Sequence, residues 1–272
     1  MLIKCDNNYI KKIKDYIQDN YYKCLYLYLD LIQYGCEKNN IDVWIQTINN
    51  DIVAVILKYY TGMHIFSKQY NYEMTEISKL IKNTKPTMIC GEKKIIEDFY
   101  EVLKKEKYEI ETGWVRGLKE YTSEKYEDVE KAKKEDFFDI AKLIYQDEDL
   151  GSSYNLESLT QQMYERNVQK FTRNYVIHQD GKVVTHAATG AENSQLAMLS
   201  YVITDPKYRG KGLAFKVCSN LCRDLIEEGK QIFLINYSQE STGLYDKIGF
   251  KICCEWGKLF LNLKDEGAKS ND

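Results

Sequence analysis

The spacing of apolar residues predicts an ordered series of helices and strands in the first half of the chain. Residues 8–34 place isoleucine and leucine at helical intervals, and residues 42–60 predict two strands joined by a turn at Asn49–Asp51. A short strand over 62–67, an amphipathic helix, a buried strand, a second helix and a further strand follow. This half is therefore expected to be an α+β domain.

The same order of elements returns after a charge-rich connector at residues 119–135. Two helices precede a hairpin, and an apolar strand over 196–204 then runs into a proline-containing turn. A helix, a strand, a short helix and closing strands over 250–263 complete this half. The sequence therefore predicts two α+β domains that look like copies of one unit, although no residue-level repeat is visible. Their predicted bounds are residues 1–118 and 125–272.

Length and charge narrow the class of protein. The chain has 272 residues, enough for two domains, and 44% of them are apolar. Its net charge of −3 gives no drive toward nucleic acid or anionic membranes. No apolar run approaches the ~20 residues of a membrane span, and the first residues do not resemble a signal peptide. We therefore expect a cytoplasmic protein with neither a nucleic-acid nor a membrane partner, and a homodimer stays open.

The cysteine and histidine content disfavours a metal site. Eight cysteines occur without a CxxC pair, and the chain has only three histidines. Without a secretion signal, free thiols in a reducing compartment are the simplest interpretation. We expect no metal and no catalytic role for the cysteines.

A glycine-rich stretch, YRGKGLAFKV at Tyr208–Val217, stands at the start of a predicted helix. A glycine costs a helix about 1 kcal/mol relative to alanine, so two of them there need a reason. Glycines give access to the unpaired N–H groups at a helix N-terminus, whose partial positive charge favours an anion such as phosphate. A plain turn that happens to contain glycine and charge is the alternative.

Two segments in order carry a family resemblance. The strand followed by DPKYRGKGLA, and the later segment NYSQESTGLYDKIGF at Asn236–Phe250, resemble the GNAT superfamily of acyl-CoA-dependent N-acyltransferases. The resemblance covers about residues 125–264 and implies the GNAT fold, a mostly antiparallel sheet flanked by helices. Residues 1–118 lack the RxxGxG pattern, so this half is expected to be at most a degenerate GNAT-like copy.

The resemblance implies a binding site for coenzyme A. Backbone N–H groups of the loop would wrap the diphosphate, and the strand before it would pair with the pantetheine arm. Asn236 or Ser238 would bond that arm. Lys211 could instead be a plain surface cation. The implied cofactor-binding residues are Val202, Ile203, Thr204, Arg209, Gly210, Lys211, Gly212, Leu213, Ala214, Asn236 and Ser238.

The resemblance places a tyrosine beside the thioester sulfur, and Tyr245 occupies that position. It could protonate the departing thiolate, donate a hydrogen bond, or simply pack in its helix. The general base is harder to find, because the apolar strand QLAMLSYVIT contains no carboxylate. Glu192, just before this strand, and His186, on the preceding strand, are the candidates. Alternatively, Glu192 is an exposed residue of a turn, and His186 is a strand residue whose hydrogen bonds are made within the protein.

The resemblance implies an N-acetyltransferase that moves an acetyl group from acetyl-CoA, its cosubstrate, to a primary amine of a small molecule. The amine would attack the thioester directly, without a covalent enzyme intermediate. A catalytically inactive CoA-binding sensor or interaction module is the alternative from another class. A transferase that uses a different acyl-CoA also stays open.

Overall fold

A computed structural model describes residues 1–103, 108–147, 155–237 and 242–261. Contacts between residues divide the chain into two compact units. Unit 1 comprises Met1–Val115 and the described residues from Ile252 onward, and unit 2 comprises Arg116–Lys251.

Unit 1 is built on a mainly antiparallel sheet with the strand order β1-β2-β3-β4-β5-β12. Only β4 and β5 run parallel within this order. Its elements are β1 (Leu2–Lys4), α1 (Ile10–Ile17), α2 (Leu25–Tyr34), β2 (Ile41–Ile48), β3 (Asp51–Tyr59), β4 (Gly62–Phe66), α3 (Met74–Thr84), β5 (Met88–Glu92), α4 (Lys93–Leu103) and β12 (Lys251–Phe260). Strand β6 (Glu109–Leu118) begins in unit 1 and ends in unit 2.

The predicted hairpin of unit 1 is confirmed, and the predicted long helix is divided. Asn49 and Asn50 have φ of +52° and +69° and join β2 to β3 by a two-residue turn. Asparagine tolerates this left-handed region, which the right-handed twist of paired strands favours. The single helix predicted over 8–34 is wrong, because the polar run Gln18–Lys23 forms a 3-10 helix between α1 and α2. Asp and Asn in that run favour turns and caps over helix interiors.

The last strand differs from the sequence-based division of the chain. The sequence placed residues 250–263 in a second domain over 125–272, whereas β12 pairs with β5 of unit 1, from Trp256 opposite Glu92 to Phe260 opposite Met88. Leu259 is fully buried in the unit 1 core. The alternation of apolar and polar residues predicts that a strand forms here. It does not determine which sheet that strand joins.

Unit 2 has the strand order β11-β10-β9-β8-β7, antiparallel except for the parallel pair β10 and β11. Its elements are β7 (Glu130–Lys131), α5 (Phe137–Tyr145), α6 (Leu156–Val168), β8 (Asn174–Gln179), β9 (Lys182–Glu192), β10 (Leu196–Thr204), α7 (Leu213–Glu227), β11 (Gln231–Asn236) and α8 (Thr242–Ile248). The predicted α+β class is confirmed.

The core of unit 2 lies on both faces of its sheet. On β8, Tyr175 and Ile177 join the cluster formed with α7, while Val176 joins the cluster formed with α5 and α6. Successive strand residues point to opposite faces, so both faces of the sheet are covered. The strands of this unit are therefore held from two sides, which fixes the loop that follows β10.

Within the described ranges, no helix is both long and apolar enough to cross a bilayer. The same part of the chain contains no group of three His, Cys, Asp or Glu side chains placed to hold a metal ion. All eight cysteines are free thiols, and six of them are buried.

Candidate active site

The loop from β10 into α7 adopts a backbone that requires its glycines. Gly210 and Gly212 have φ of +77° and +74°. A Cβ added at either position would meet no atom of the described residues within 4 Å, so this part of the structure leaves the space beside the loop open. Glycine is therefore present for the left-handed conformation, and a ligand can approach the backbone.

Helix α7 begins at this loop without a side-chain cap. Gly212 is the N-cap residue, no side chain accepts from the first turn, and that turn contains no acidic residue. The first N–H groups of a helix have no partner within the helix and carry partial positive charge. The start of α7 therefore offers uncapped donors toward the open side of the loop.

The two cations of the loop, Arg209 and Lys211, are exposed and make few contacts. Arg209 donates from Nε to the carbonyl oxygen of Thr204 at 3.1 Å, and its guanidinium lies 3.7 Å from Asp147. The Lys211 ammonium lies 4.9 Å from the centre of the Tyr208 ring. Both charges therefore remain at the surface of the loop, where they add to the positive potential of the helix start.

Strand β10 contains a bulge just before the loop. Its register with β9 passes from Ser200 opposite Ala188 to Ile203 opposite His186, so β10 has one extra residue there. Tyr201 has φ of +53°, a strained conformation that costs on the order of 1–3 kcal/mol. Surrounding contacts must therefore hold the bulge in place.

His186 supplies one of these contacts. Its Nδ1 lies 2.9 Å from the carbonyl oxygen of Tyr201, and its Nε2 lies 2.9 Å from Oδ1 of Asn174. The ring is fully buried, and this burial lowers the pKa of His186 to about 4. Neutral His186 carries one N–H and donates it to one of these two oxygens, and its buried ring lies between the bulge and β8.

The bulge coincides with a gap in the sheet. The parallel pairing of β10 with β11 covers only Leu196–Met198 and Gln231–Phe233, although both strands continue further. Beyond Met198, the β11-facing edge of β10 has no paired strand among the described residues. Val202, Ile203 and Thr204 lie on this stretch, where backbone N–H and C=O groups can pair with an extended ligand.

Tyr245 lies on α8 and is half-buried. Its ring packs edge-on against Phe250 with 5.9 Å between ring centres. Burial raises the pKa of the Tyr245 hydroxyl well above its ordinary value, and the thiols of Cys218 and Cys222 raise it further. Among the described residues, this hydroxyl has no hydrogen-bond partner. It is therefore protonated at neutral pH and can donate to a ligand.

Asn236 ends β11 and connects it to the helix of Tyr245. Its side chain is buried, and its Oδ1 accepts a hydrogen bond from the Thr242 hydroxyl at 3.2 Å. This bond fixes the start of α8 against the end of the strand. Ser238, the other candidate for the cofactor arm, lies outside the described residues.

The geometry gives no support to Glu192 as a general base. Glu192 pairs with Ala197, seven residues before Thr204, and this length of strand spans about 23 Å. Its buried carboxylate accepts from Arg173 at 2.8 Å and from Lys230 at 2.6 Å. Like His186, it makes structural contacts, and it is not brought to the loop.

A further ion pair of Arg173, with Glu228, predicts that the free energy of unfolding decreases at acid pH. Glu228 also binds Arg173, whose hydrogen bonds lower the pKa of Glu228 from 4.5 to about 2. Because the folded-state pKa lies below the unfolded value, this stabilisation is complete above about pH 4.5 and is lost as the pH falls toward 2. We expect Glu228→Gln to flatten the pH dependence of the urea midpoint between pH 5 and 2.5.

The adjacent variant Glu227→Gln is the control for the loss of one acidic charge, because Glu227 is an exposed residue at 3.5 Å from Arg223. It should follow the wild-type pH profile. Equal slopes for wild type and Glu228→Gln would show that the Arg173 contact does not stabilise the folded state.

One buried charge near Tyr245 was missed by the sequence analysis. Arg116 is 4% exposed and donates to Asp246, the neighbour of Tyr245 on α8, at 2.6 Å. Its Nε is buried and has no partner among the described residues. The available signal was an arginine between the apolar residues Val115 and Leu118 near the end of β6, since a buried charge needs a compensating group.

Sequence comparison gives one match within unit 2. A family model described as FR47-like protein matches residues 178–257, which include β10, the glycine loop and Tyr245. No curated protein sequence matches the chain.

Solved structures of GNAT proteins match nearly the whole chain. A GNAT-family acetyltransferase from Colwellia psychrerythraea is 11% identical with a TM-score of 0.62, over 96% of this chain and 100% of that one. A GCN5-related N-acetyltransferase-like protein from Streptococcus suis is 14% identical with a TM-score of 0.58, over 94% and 99%. A tandem GNAT protein from the clavulanic acid biosynthesis pathway is 11% identical with a TM-score of 0.58, over 95% and 97%.

The chain has the tandem GNAT fold. The predicted resemblance to the GNAT superfamily and the predicted fold are therefore confirmed. At these identities the structural likeness concerns the fold, and the GNAT fold alone does not assign a substrate.

The GNAT-like sheet of unit 1 lacks the features of the unit 2 loop. Its parallel pair joins Gly62–His64 to Met88–Cys90, and β4 ends only two residues later, at Phe66. Helix α3 has Glu73 as its N-cap residue and Glu76 in its first turn. Two carboxylates at a helix start repel a phosphate, so this counterpart is unsuited to coenzyme A.

Proposed function

We propose that the chain is an acyl-CoA-dependent N-acetyltransferase that acts on a primary amine of a small molecule. The observation that carries this proposal is the loop Arg209–Gly212 at the uncapped start of α7, directly after a strand whose edge has separated from its neighbour. Open backbone donors for an anion and an unpaired strand edge for an extended arm thus occur together.

The loop would hold the diphosphate of the cofactor. Backbone N–H groups of residues 210–214 at the positive end of α7 would bind it, and Gly210 and Gly212 place no side chain in the way. Arg209 and Lys211 add positive charge at the surface. The β10 edge at Val202–Thr204 would pair with the pantetheine arm.

The chemistry proposed for this site is direct acyl transfer. Acetyl-CoA supplies the activated acetyl group. The neutral amine nitrogen attacks the thioester carbon, the C–N bond forms and the C–S bond breaks. A water molecule accepts the proton that the nitrogen loses, and the thiolate takes a proton from a donor that regains it from water. Backbone N–H groups of β10 would polarise the thioester oxygen, and the protonated Tyr245 hydroxyl would be the proton donor.

The state of the cysteines supports a mechanism without a covalent intermediate. Cys218 and Cys222 are the thiols that raise the pKa of Tyr245, and both are fully buried. Burial raises the pKa of Cys218 to about 12, and it raises the pKa of Cys222 as well. A nucleophilic cysteine must be a thiolate, so neither thiol suits that role.

A CoA-binding sensor is the second candidate, and one observation favours it. Glu192 and His186, the two predicted bases, have their polar atoms bonded within unit 2. Either a water molecule must then remove the proton from the amine, or the amine must bind in its neutral form. Release of free thiol from acetyl-CoA with a panel of small amines separates the two functions. Turnover supports the transferase, whereas tight acetyl-CoA binding without turnover supports the sensor.

The contrast between the two GNAT-like units predicts the binding stoichiometry. Since unit 1 has Glu73 and Glu76 where unit 2 has an uncapped glycine loop, we expect one acetyl-CoA per chain by titration calorimetry. Two equivalent sites per chain would contradict the assignment of unit 1 as a degenerate copy.

A further inference from the structure

Unit 2 contains a cavity of about 100 Å³ between α6 and strands β8–β10. We name it the α6 cavity. It has room for about three water molecules, taking roughly 30 Å³ for each. Its polar lining consists of Gln162, Arg166, Thr172, Asn174, Thr189 and Tyr201.

The α6 cavity adjoins the part of β10 that the proposed cofactor would occupy. Tyr201 lines the cavity and stands at the bulge, and Val202 begins the unpaired edge immediately after it. Asn174, Ala188 and Ser200 lie opposite one another across β8, β9 and β10. A molecule in this cavity is therefore beside the strand where the thioester would lie.

The cavity contains a cation without a carboxylate partner. Arg166 is half-buried, donates to the carbonyl oxygen of Gly190 at 2.7 Å, and stacks over Phe171 with 4.8 Å to the ring centre. No carboxylate of the described residues forms an ion pair with it, and none lines the cavity. Arg173, in the same unit, pairs with two glutamates. Arg166 thus presents a positioned guanidinium with further N–H groups for an anion.

A second polar group points to a ligand at the same place. Thr172 is 9% exposed and lines the cavity. Its hydroxyl makes no hydrogen bond within the described part of the chain. The hydroxyl oxygen is accessible from the cavity, so it can form a hydrogen bond with a polar group bound there.

We propose that the α6 cavity receives the acceptor, and that the acceptor is a small aminocarboxylate, such as a free amino acid, whose carboxylate binds Arg166. This inference rests on the proposed transferase function. Arginine binds carboxylates through two parallel hydrogen bonds, and a cation that no carboxylate neutralises repels an ammonium-rich acceptor such as a polyamine. The cavity volume limits the enclosed part to the carboxylate and a few carbon atoms.

The test measures binding of the acetylated product, which does not depend on turnover. The probes are N-acetylglycine, N-acetylalanine and N-acetylserine with their uncharged amides, titrated into the protein in the presence of coenzyme A. We expect the acids to bind more tightly than the amides. Arg166→Gln should weaken acid binding by about 10²-fold, the range of hydrogen bonds to charged groups, and should leave amide binding unchanged.

Two further variants keep the test interpretable. Lys170→Gln removes an exposed cation four residues later, beyond the end of α6, and should bind like the wild type. Arg166→Lys keeps the charge without the planar fork and should bind the acids with intermediate affinity. Equal binding of acid and amide by the wild type, or acid binding unchanged in Arg166→Gln, would overturn the proposal.

Steady-state kinetics separate this inference from the proposed function. With glycine or alanine as acceptor, Arg166→Gln should raise KM by about 10²-fold with little change in kcat. Acetyl transfer to the matching amides, but not to the acids, would refute an aminocarboxylate acceptor and would still support the transferase function. Selective acid binding without transfer to any amine would refute the transferase and keep the carboxylate site.

Discussion

Replacing Gly212 by aspartate is expected to abolish the stabilisation of the protein by acetyl-CoA. A ligand that binds only the folded state stabilises it by about 2.7 kcal/mol at a concentration of 100 Kd, which raises Tm. The added carboxylate would stand at the N-cap of α7, where the diphosphate is proposed to bind, and would repel it. The measurement is Tm with and without acetyl-CoA.

Gly229 provides a matched control for this variant. It lies just beyond the other end of α7, has φ of +78°, and has no atom within 4 Å of an added Cβ, as at Gly212. Gly229→Asp therefore imposes the same backbone strain and the same charge away from the loop. Its Tm shift should equal that of the wild type. A full shift in folded Gly212→Asp would remove the loop as the diphosphate site.

Removing the hydroxyl of Tyr245 is expected to lower kcat by roughly 10²-fold, the low end of general acid catalysis. The variant Tyr245→Phe keeps the ring that packs against Phe250. Because the hydroxyl has no partner among the described residues, the free energy of unfolding and the affinity for acetyl-CoA should change little. Turnover is measured as thiol release at saturating acetyl-CoA.

Tyr121 is the control for the loss of a tyrosine hydroxyl from the same unit. Its hydroxyl donates to the Ser219 hydroxyl at 2.8 Å, so Tyr121→Phe should cost about 1 kcal/mol of stability. It should leave turnover intact. Wild-type turnover in Tyr245→Phe would assign Tyr245 to packing alone.

Features encoded by neighbouring residues could be predicted from the sequence. Asn49–Asn50 fixes a two-residue turn through left-handed conformations that asparagine tolerates, and the turn was predicted. The glycine loop was found for the same reason, because the two left-handed positions need glycine whatever surrounds them.

Features set by distant partners could not be predicted. Glu192 lies at a predicted turn, and its partners Arg173 and Lys230 are distant from it in the sequence. Tyr201 gives no local sign of a bulge, because its conformation is held by His186 on another strand. Arg166 appeared as one more polar residue of a helix, and its lack of a carboxylate partner is visible only in three dimensions.

The position of β12 has a consequence for the order in which the chain folds. Unit 1 gains its sixth strand from a segment synthesised after the whole of unit 2, and the ion pair of Lys93 with Glu255 spans 162 residues. Contacts so far apart in sequence slow folding, since a long loop must close before they form. Until β12 has been synthesised, one edge of β5 is therefore unpaired, and another chain can add a strand at this edge. Ribosome-bound chains that stop before Lys251 should accordingly bind chaperones more strongly than chains that include β12.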